Sequence, residues 1–262
     1  MAERLMKIYK EIKKVLLRVP LFFYYIKGKN FLNDPYYIEG RRQDKIEMSK
    51  RPLRTDIINF ILSQFSRETL YLEIGVRNPK ENFNKIKAAI KYSVDPGIEF
   101  KENPVDFKLT SDNFFKELYQ NKILSPDIKF DLIFIDGLHL AHQVDRDIAN
   151  SMNFIKDDGF IVLHDCNPPT EWHARYEYDY KYTPSFSNWN GTTWKAFMKW
   201  RANSSVFSCC IDTDFGVGIL SKKKNIGQYL NHNMEFYEYP ELNKNRIEYL
   251  NLLSFSEFKT LF

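Results

Sequence analysis

The stretch Leu70-Tyr71-Leu72-Glu73-Ile74-Gly75-Val76 decides the fold. It is an apolar run of strand length, carries one carboxylate and is stopped by a glycine, the pattern of a strand buried on both faces. The pattern returns in FDLIFID at residues 130–136 and in FIVLHD at residues 160–165, the latter after the turn Asp157-Asp158-Gly159. Shorter runs at 92–95 and 107–110 read as two further strands. Helical spacing fills the gaps at 82–91, after Ser111 or Asp112 as the cap, and at 140–155, where Val144, Ile148, Met152 and Ile155 share one face. Strands alternating with helices predict an α/β fold with a doubly wound, mostly parallel sheet. Two last strands, 206–211 and 216–221, are joined by residues 212–215 and predict a closing antiparallel hairpin, which makes seven strands. A helix is expected at 192–202.

The composition sets the class. With 44% apolar residues, 27% charged and a mean hydropathy of −0.47, the chain has the balance of a globular domain, not of a disordered or collagen-like one. Its three cysteines, Cys166, Cys209 and Cys210, have no zinc-ligand spacing, and so sparse and odd a set fits a reducing compartment. The uncharged run VPLFFYYI at 19–26 is far short of the ~20 residues that a span needs. Lys27-Gly28-Lys29 follows it instead of a small-residue cleavage site, so the expected address is the cytoplasm.

Charge divides the chain. Residues 1–54 hold 14 Lys/Arg against 6 Asp/Glu, a local +8, while the remainder holds 24 against 28, or −4. Leu5, Ile8, Ile12, Val15, Leu16 and Val19 recur at helical spacing among the lysines, so 1–54 reads as a basic amphipathic helical extension. Two readings stand for it: a helix on an anionic surface such as the inner face of the membrane, or a helix packed on the domain or on a second subunit, as in a homo-oligomer. The acidic body lacks a basic stripe, which argues against a nucleic-acid partner. Residues 224–262 form a polar, aromatic tail expected to be helical and to pack on the domain, with His232 structural.

In open α/β sheets, ligands bind beyond the carboxyl ends of the strands, near the switch point in strand order. Polar residues stand at each such end: Glu73 and Gly75, Asp95, Ser111-Asp112, Asp136, and His164-Asp165. Asp95 follows Gly75 by twenty residues, the place from which a carboxylate receives both hydroxyls of a ribose. The first loop, EIGVRNPKENF, has one glycine and a proline where a dinucleotide fingerprint needs further glycines, so no pyrophosphate cradle is expected.

From Leu70 to Leu220 the chain resembles the class I S-adenosylmethionine-dependent methyltransferases, in particular the bacterial group that modifies sugars of polysaccharides and glycosylated natural products. YLEIGV, VDPG, TSDNFF, FDLIFIDGLH and GFIVLHD carry the resemblance, in family order. It implies a methyltransferase domain over 55–223, with Glu73 and Gly75 at the methionine end of the cofactor and Asp95 at the ribose. Ser111-Asp112 would lie beside the adenine and Asp136 would face the transferred methyl. Relatives often hold a divalent cation with the aspartate after the fourth strand and an acidic pair after the fifth; here Asp136, His164 and Asp165 stand there, for Mg²⁺ or Mn²⁺. The rival reading needs no metal: a histidine, His139 or His164, takes the proton of an acceptor hydroxyl, with Asp165 orienting His164. His142 and His173 are weaker candidates.

Residues 166–190 are too long for an ordinary connection and are expected to cover the acceptor, with Trp172, Tyr176, Tyr178, Tyr180 and Trp189 for stacking on a sugar and Arg175 and Lys181 for a phosphate. The expected function is methyl transfer from S-adenosylmethionine to a hydroxyl on a sugar of a surface glycan or its activated precursor. The alternatives are a lipid or small-metabolite oxygen as acceptor, or a non-catalytic glycan- or membrane-binding scaffold on the same fold.

Overall fold

The computed structural model describes residues 2–16, 18–100, 102–231 and 236–262; His232 lies outside them. The strands are β1 (Leu70–Ile74), β2 (Ile90–Val94), β3 (Phe130–Ile135), β4 (Ile155–Leu163), β5 (Phe207–Ile211), β6 (Val217–Ser221) and β7 (Leu252–Leu253). They form one sheet in the order β2-β1-β3-β4-β6-β5-β7. Pairing is parallel from β2 through β4, and β6 alone runs against its neighbours.

Period-two alternation divides the core between two faces. Leu72, Ile74, Ile133, Ile135, Ile161 and Leu163 point to one side, where α5 (Ser111–Tyr119), α6 (Ala141–Phe154) and α7 (Thr193–Arg201) bring Phe114, Phe115, Val144, Ile148 and Phe197. Tyr71, Leu132, Phe134, Phe160 and Val162 point to the other, against Ile57, Ile58 and Ile61 of α4 (Arg54–Ser63) and Phe258 of α9 (Phe255–Lys259). Each such side chain contributes about 1.5–3 kcal/mol by leaving water. Cys166, Cys209 and Cys210 are free thiols buried in these cores.

Four local expectations change. The run 107–110 gives only a bridge from Phe107 to Val94, because the Leu109 N–H turns back to the Phe107 carbonyl and leads the chain off the sheet. The seventh strand is β7, which follows α8 (Tyr239–Leu250) and lies on the far edge beside β5. The helix over 82–91 shrinks to a 3₁₀ turn at Phe83–Lys85. Asn82 does not cap it; its side chain bonds Glu73 and Thr55 instead, and the Lys91 ammonium holds the Phe83 and Ile86 carbonyls. Asp157-Asp158-Gly159 is an irregularity within β4, whose pairing jumps from Phe130–Ile155 to Leu132–Phe160.

The N-terminal segment is three helices, α1 (Ala2–Leu16), α2 (Pro20–Leu32) and α3 (Pro35–Ser49). The last of these packs on the 166–190 loop. Buried Asp44 receives bonds from His173 Nε2 at 3.1 Å, Asn188 at 2.6 Å and Arg41 at 3.0 Å, and Arg41 also bonds the Pro184 carbonyl. His173, fully buried and also joined to Thr170, is a structural tie.

Gly75 has a φ of +85°, and a β-carbon there would overlap the backbone of Asp136 and Gly137. The glycine lets the ends of β1 and β3 meet. Gly75→Ala is expected to lose more than about 2 kcal/mol, combining left-handed strain with a backbone clash. Gly28→Ala, in α2 with open space around it, serves as control and is expected to be neutral or to gain up to about 1 kcal/mol. Chemical denaturation of both variants measures the difference.

Candidate active site

Where the chain leaves β1 for β2 on one side and later returns to β3 on the other, a cavity of about 700 Å³ opens at the carboxyl ends of the strands. Glu73, Gly75, Asp95, Ser111, Asp136, His139, His164 and Asp165 all line it. Asp112 does not: it faces outward from α5 and pairs with Arg146 and Gln143. Neither Ser111 nor Asp112 caps that helix; Thr110 does, accepting from the Asn113 N–H.

At one end of the cavity, Asp95 is fixed by two backbone donors, Arg77 N at 2.8 Å and Gly97 N at 2.7 Å, one to each oxygen. Each oxygen keeps a lone pair for a ligand. Glu73 shares the face of Tyr71, two residues back, and one of its oxygens takes the Tyr71 hydroxyl at 2.6 Å and the Asn82 amide at 3.0 Å. Burial, with the Asp136 charge nearby, pushes its carboxyl up to about 7 despite those bonds. Ser111 is held by Gln143, which also bonds Asp147.

At the other end, the two rim histidines meet three aspartates. His139 Nδ1 donates to the Trp189 carbonyl at 2.9 Å and lies 3.1 Å from Asp165, while Nε2 is 3.3 Å from Asp136. His164 Nδ1 lies 3.2 Å from Asp136 and 3.1 Å from Asp165, and its Nε2 is 3.4 Å from both Asp214 and Arg54. Burial works against a charged His139 ring, but Asp165 and Asp136 raise it to about 9. The same opposition, won by Asp165 and Asp136, raises His164. Asp136 is held well below the usual carboxylate range: burial alone would raise it, and His164, His139 and Arg54 together outweigh burial.

Arg54 and Asp214 were not singled out from the sequence. Arg54 opens α4 and lies 3.6 Å from Asp136 and 3.2 Å from Asp214, which also receives the Arg54 backbone N–H. A signal for Asp214 existed: β5 runs parallel to β1–β4, so the loop after it opens on the same edge as the other strand ends. For Arg54, separated from every strand in sequence, there was none.

The 166–190 loop closes the far side. Trp189 stacks on His139 with centroids 5.3 Å apart, and Tyr178 packs on Trp189; both line the cavity. Trp172 instead packs on Tyr36 and Gly40 of α3, and Tyr176 and Tyr180 face solvent. Arg175 is occupied by the Glu177, Trp172, Asn188 and Phe186 carbonyls and the Ser185 hydroxyl, so it ties the loop together and is not open to a phosphate. Lys181 lies over the Tyr178 ring.

Residues 72–166, from β1 to just past β4, match the family model described as a methyltransferase domain. That is 95 of the 262 residues, and it takes in every rim residue except Arg54 and Asp214. A comparison with curated proteins found no match. Among solved structures, an O-methyltransferase from Bacillus cereus in complex with SAH is similar at 11% identity, covering 72% of this chain and 92% of that one, with a TM-score of 0.43. A methyltransferase of the mycinamycin biosynthetic pathway, in complex with Mg, SAH and mycinamycin VI, is similar at 13% identity over 70% of this chain and 51% of that one, with a TM-score of 0.41. The SAH-bound Podospora anserina methyltransferase is similar at 12% identity over 77% and 95%, with a TM-score of 0.42.

The raised carboxyl of Glu73 makes stability depend on pH. The folded state binds the proton up to about pH 7, whereas an unfolded glutamate releases it near its ordinary 4.5. Its contribution is fully present below pH 4.5 and is lost as pH rises toward 7, at up to about 1.4 kcal/mol per pH unit. Glu73→Gln is expected to remove that slope, so the variant gains on the wild type between pH 5 and 7. Urea unfolding across that range measures it, and parallel curves would contradict the assignment.

Proposed function

We propose that the chain is an S-adenosylmethionine-dependent O-methyltransferase that acts on a sugar hydroxyl of a surface glycan or its activated precursor. One observation carries the first half of this reading: the charge of the cavity. Glu73, Glu81, Asp95, Glu99, Asp136 and Asp165 line it against the guanidinium groups of Arg54 and Arg77 and the raised imidazoles of His139 and His164, which leaves acid in excess. Such a lining repels a polyphosphate and receives a cation, and the methyl donor carries a sulfonium and an ammonium. The volume lies within the range of small-molecule sites.

The donor would supply an electrophilic methyl carbon. The chain's own residues supply the rest. Asp95 accepts from a ribose through the lone pairs its backbone donors leave free. Glu73, at the end of β1, offers a carboxylate to a positive group. Tyr178 and Trp189 present aromatic faces of the kind that stack on a pyranose, which supports a sugar as acceptor. His139 stands between that aromatic wall and Asp136, and it is the more exposed of the two rim imidazoles, 20% against 9%. It is the base assigned to the acceptor hydroxyl. A cationic ligand in the same cavity opposes a second positive charge, which works toward the neutral imidazole that a base requires.

A second reading gives His139 to a metal. Asp136, His139 and Asp165 each offer a ligand atom, all within 4.8 Å of one another. Two carboxylates and an imidazole suit Mg²⁺ or Mn²⁺, which would acidify the hydroxyl directly. His164 fits this set less well, because the Arg54 guanidinium stands 3.4 Å from its Nε2.

Calorimetry with S-adenosylhomocysteine tests the cofactor: the wild type is expected to bind, and Asp95→Ala to weaken binding at least tenfold by losing a buried hydrogen-bond acceptor. No binding by the wild type would sink the proposal. His139→Ala is expected to keep cofactor binding and to lose about 10²–10⁴ in kcat on a glycan precursor. Activity abolished by a chelator and restored by Mn²⁺ or Mg²⁺ favours the metal reading; activity that survives chelation favours His139 as base.

A further inference from the structure

The first two helices expose apolar surface that the domain does not cover. On α1, Leu5, Ile8, Ile12 and Val15 form a stripe, with Leu5 62% and Val15 63% exposed, while Lys7 and Lys13 flank it on either side and Lys10 lies opposite. Lys14 pairs with Glu11 on that polar side. Helix α2 buries none of its residues, although its first two turns, from Pro20 to Ile26, carry no charged residue: Leu21 is 78% exposed and Tyr24 71%. Apolar surface left to solvent on two successive helices marks a contact with something other than water.

Charge decides what that contact is. Residues 1–32 carry eight basic side chains against Glu3 and Glu11. A second copy of the chain would bring the same positive charge to the same face, whereas an anionic lipid surface satisfies the lysines and the apolar stripe together. The 13 residues of α2 rise about 20 Å, short of the ~30 Å hydrocarbon core, and among the described residues no helix is long and apolar enough to cross a membrane. We propose that α1 and α2 form a docking surface for an anionic lipid bilayer, the apolar residues entering the headgroup–acyl boundary and the lysines meeting headgroup phosphates.

The docked segment is tied to the site. Only Asn33 and Asp34 separate α2 from α3, and Asp34 caps α3 by accepting from the Tyr36 and Tyr37 N–H groups. Tyr36 bonds Glu171, and Asp44 bonds His173 and Asn188, all in the loop that closes the cavity. Docking therefore fixes the bilayer next to the helix that holds this loop.

Flotation of the full chain with vesicles tests the proposal. Phosphatidylcholine vesicles are compared with vesicles containing about one third phosphatidylglycerol, at low and at high salt. Binding is expected to be at least tenfold stronger on the anionic vesicles and to fall at high salt. Ile8→Ser with Ile12→Ser is expected to cut binding about tenfold at low salt, and Lys7→Gln with Lys10→Gln about fivefold per lysine removed. These positions face solvent, so circular dichroism and S-adenosylhomocysteine binding are expected to be unchanged; the latter keeps this outcome separate from that of the proposed activity. Equal binding to both vesicle types would overturn the proposal. So would no binding to either, or a concentration-dependent dimer in ultracentrifugation that Ile8→Ser dissolves without any vesicle binding.

Discussion

The contact between Gly75 and the Asp136–Gly137 backbone sets the distance on which the site depends. Because no β-carbon intervenes, the ends of β1 and β3 come together, with the Asp136 N–H donating to the Ile74 carbonyl. Everything polar in the cavity is then referred to that junction. On one side Glu73 and Asp95 face a ligand; on the other, Asp136 places a carboxylate where two histidines and an arginine gather round it. A lone glycine in a chain with few of them performs a structural task that a phosphate-binding loop would share among several.

At the rim, charge is arranged in opposition rather than in surplus. Asp136, Asp165 and Asp214 are balanced by Arg54 and the imidazoles of His139 and His164, so the rim tolerates burial that no single one of its members would tolerate alone. Toward Glu73 and Asp95 this balance fails. Glu73 has hydrogen bonds but, among the described residues, no cation within bonding distance, and its carboxyl is pushed upward. The unbalanced end is where a positive ligand gains most.

Much of this was legible in the chain because a buried parallel sheet leaves a plain trace. Apolar runs of strand length with a polar residue at each carboxyl end located Glu73, Asp95, Asp136 and the His164-Asp165 pair. Where the reading failed, side chains had intervened in ways that periodicity does not record. Asn82 turned to Glu73 and Thr55 and left its helix uncapped, and a carbonyl turn after Phe107 reduced a strand to a bridge. Arg54 reaches the rim from a helix remote from every strand end, and Arg175 spends its donors on its own loop. Long cationic side chains choose partners in three dimensions, and the residue letters alone do not disclose the choice.

The three cysteines have a practical consequence. Each is buried, and burial raises every one of the thiols above its ordinary range. Thiolate-directed reagents therefore find little to react with on the folded chain. A single cysteine introduced on the surface would be the preferred point of attachment, and a fluorophore or spin label could be placed there without first removing native sulfur. The wild-type fold already shields its own thiols.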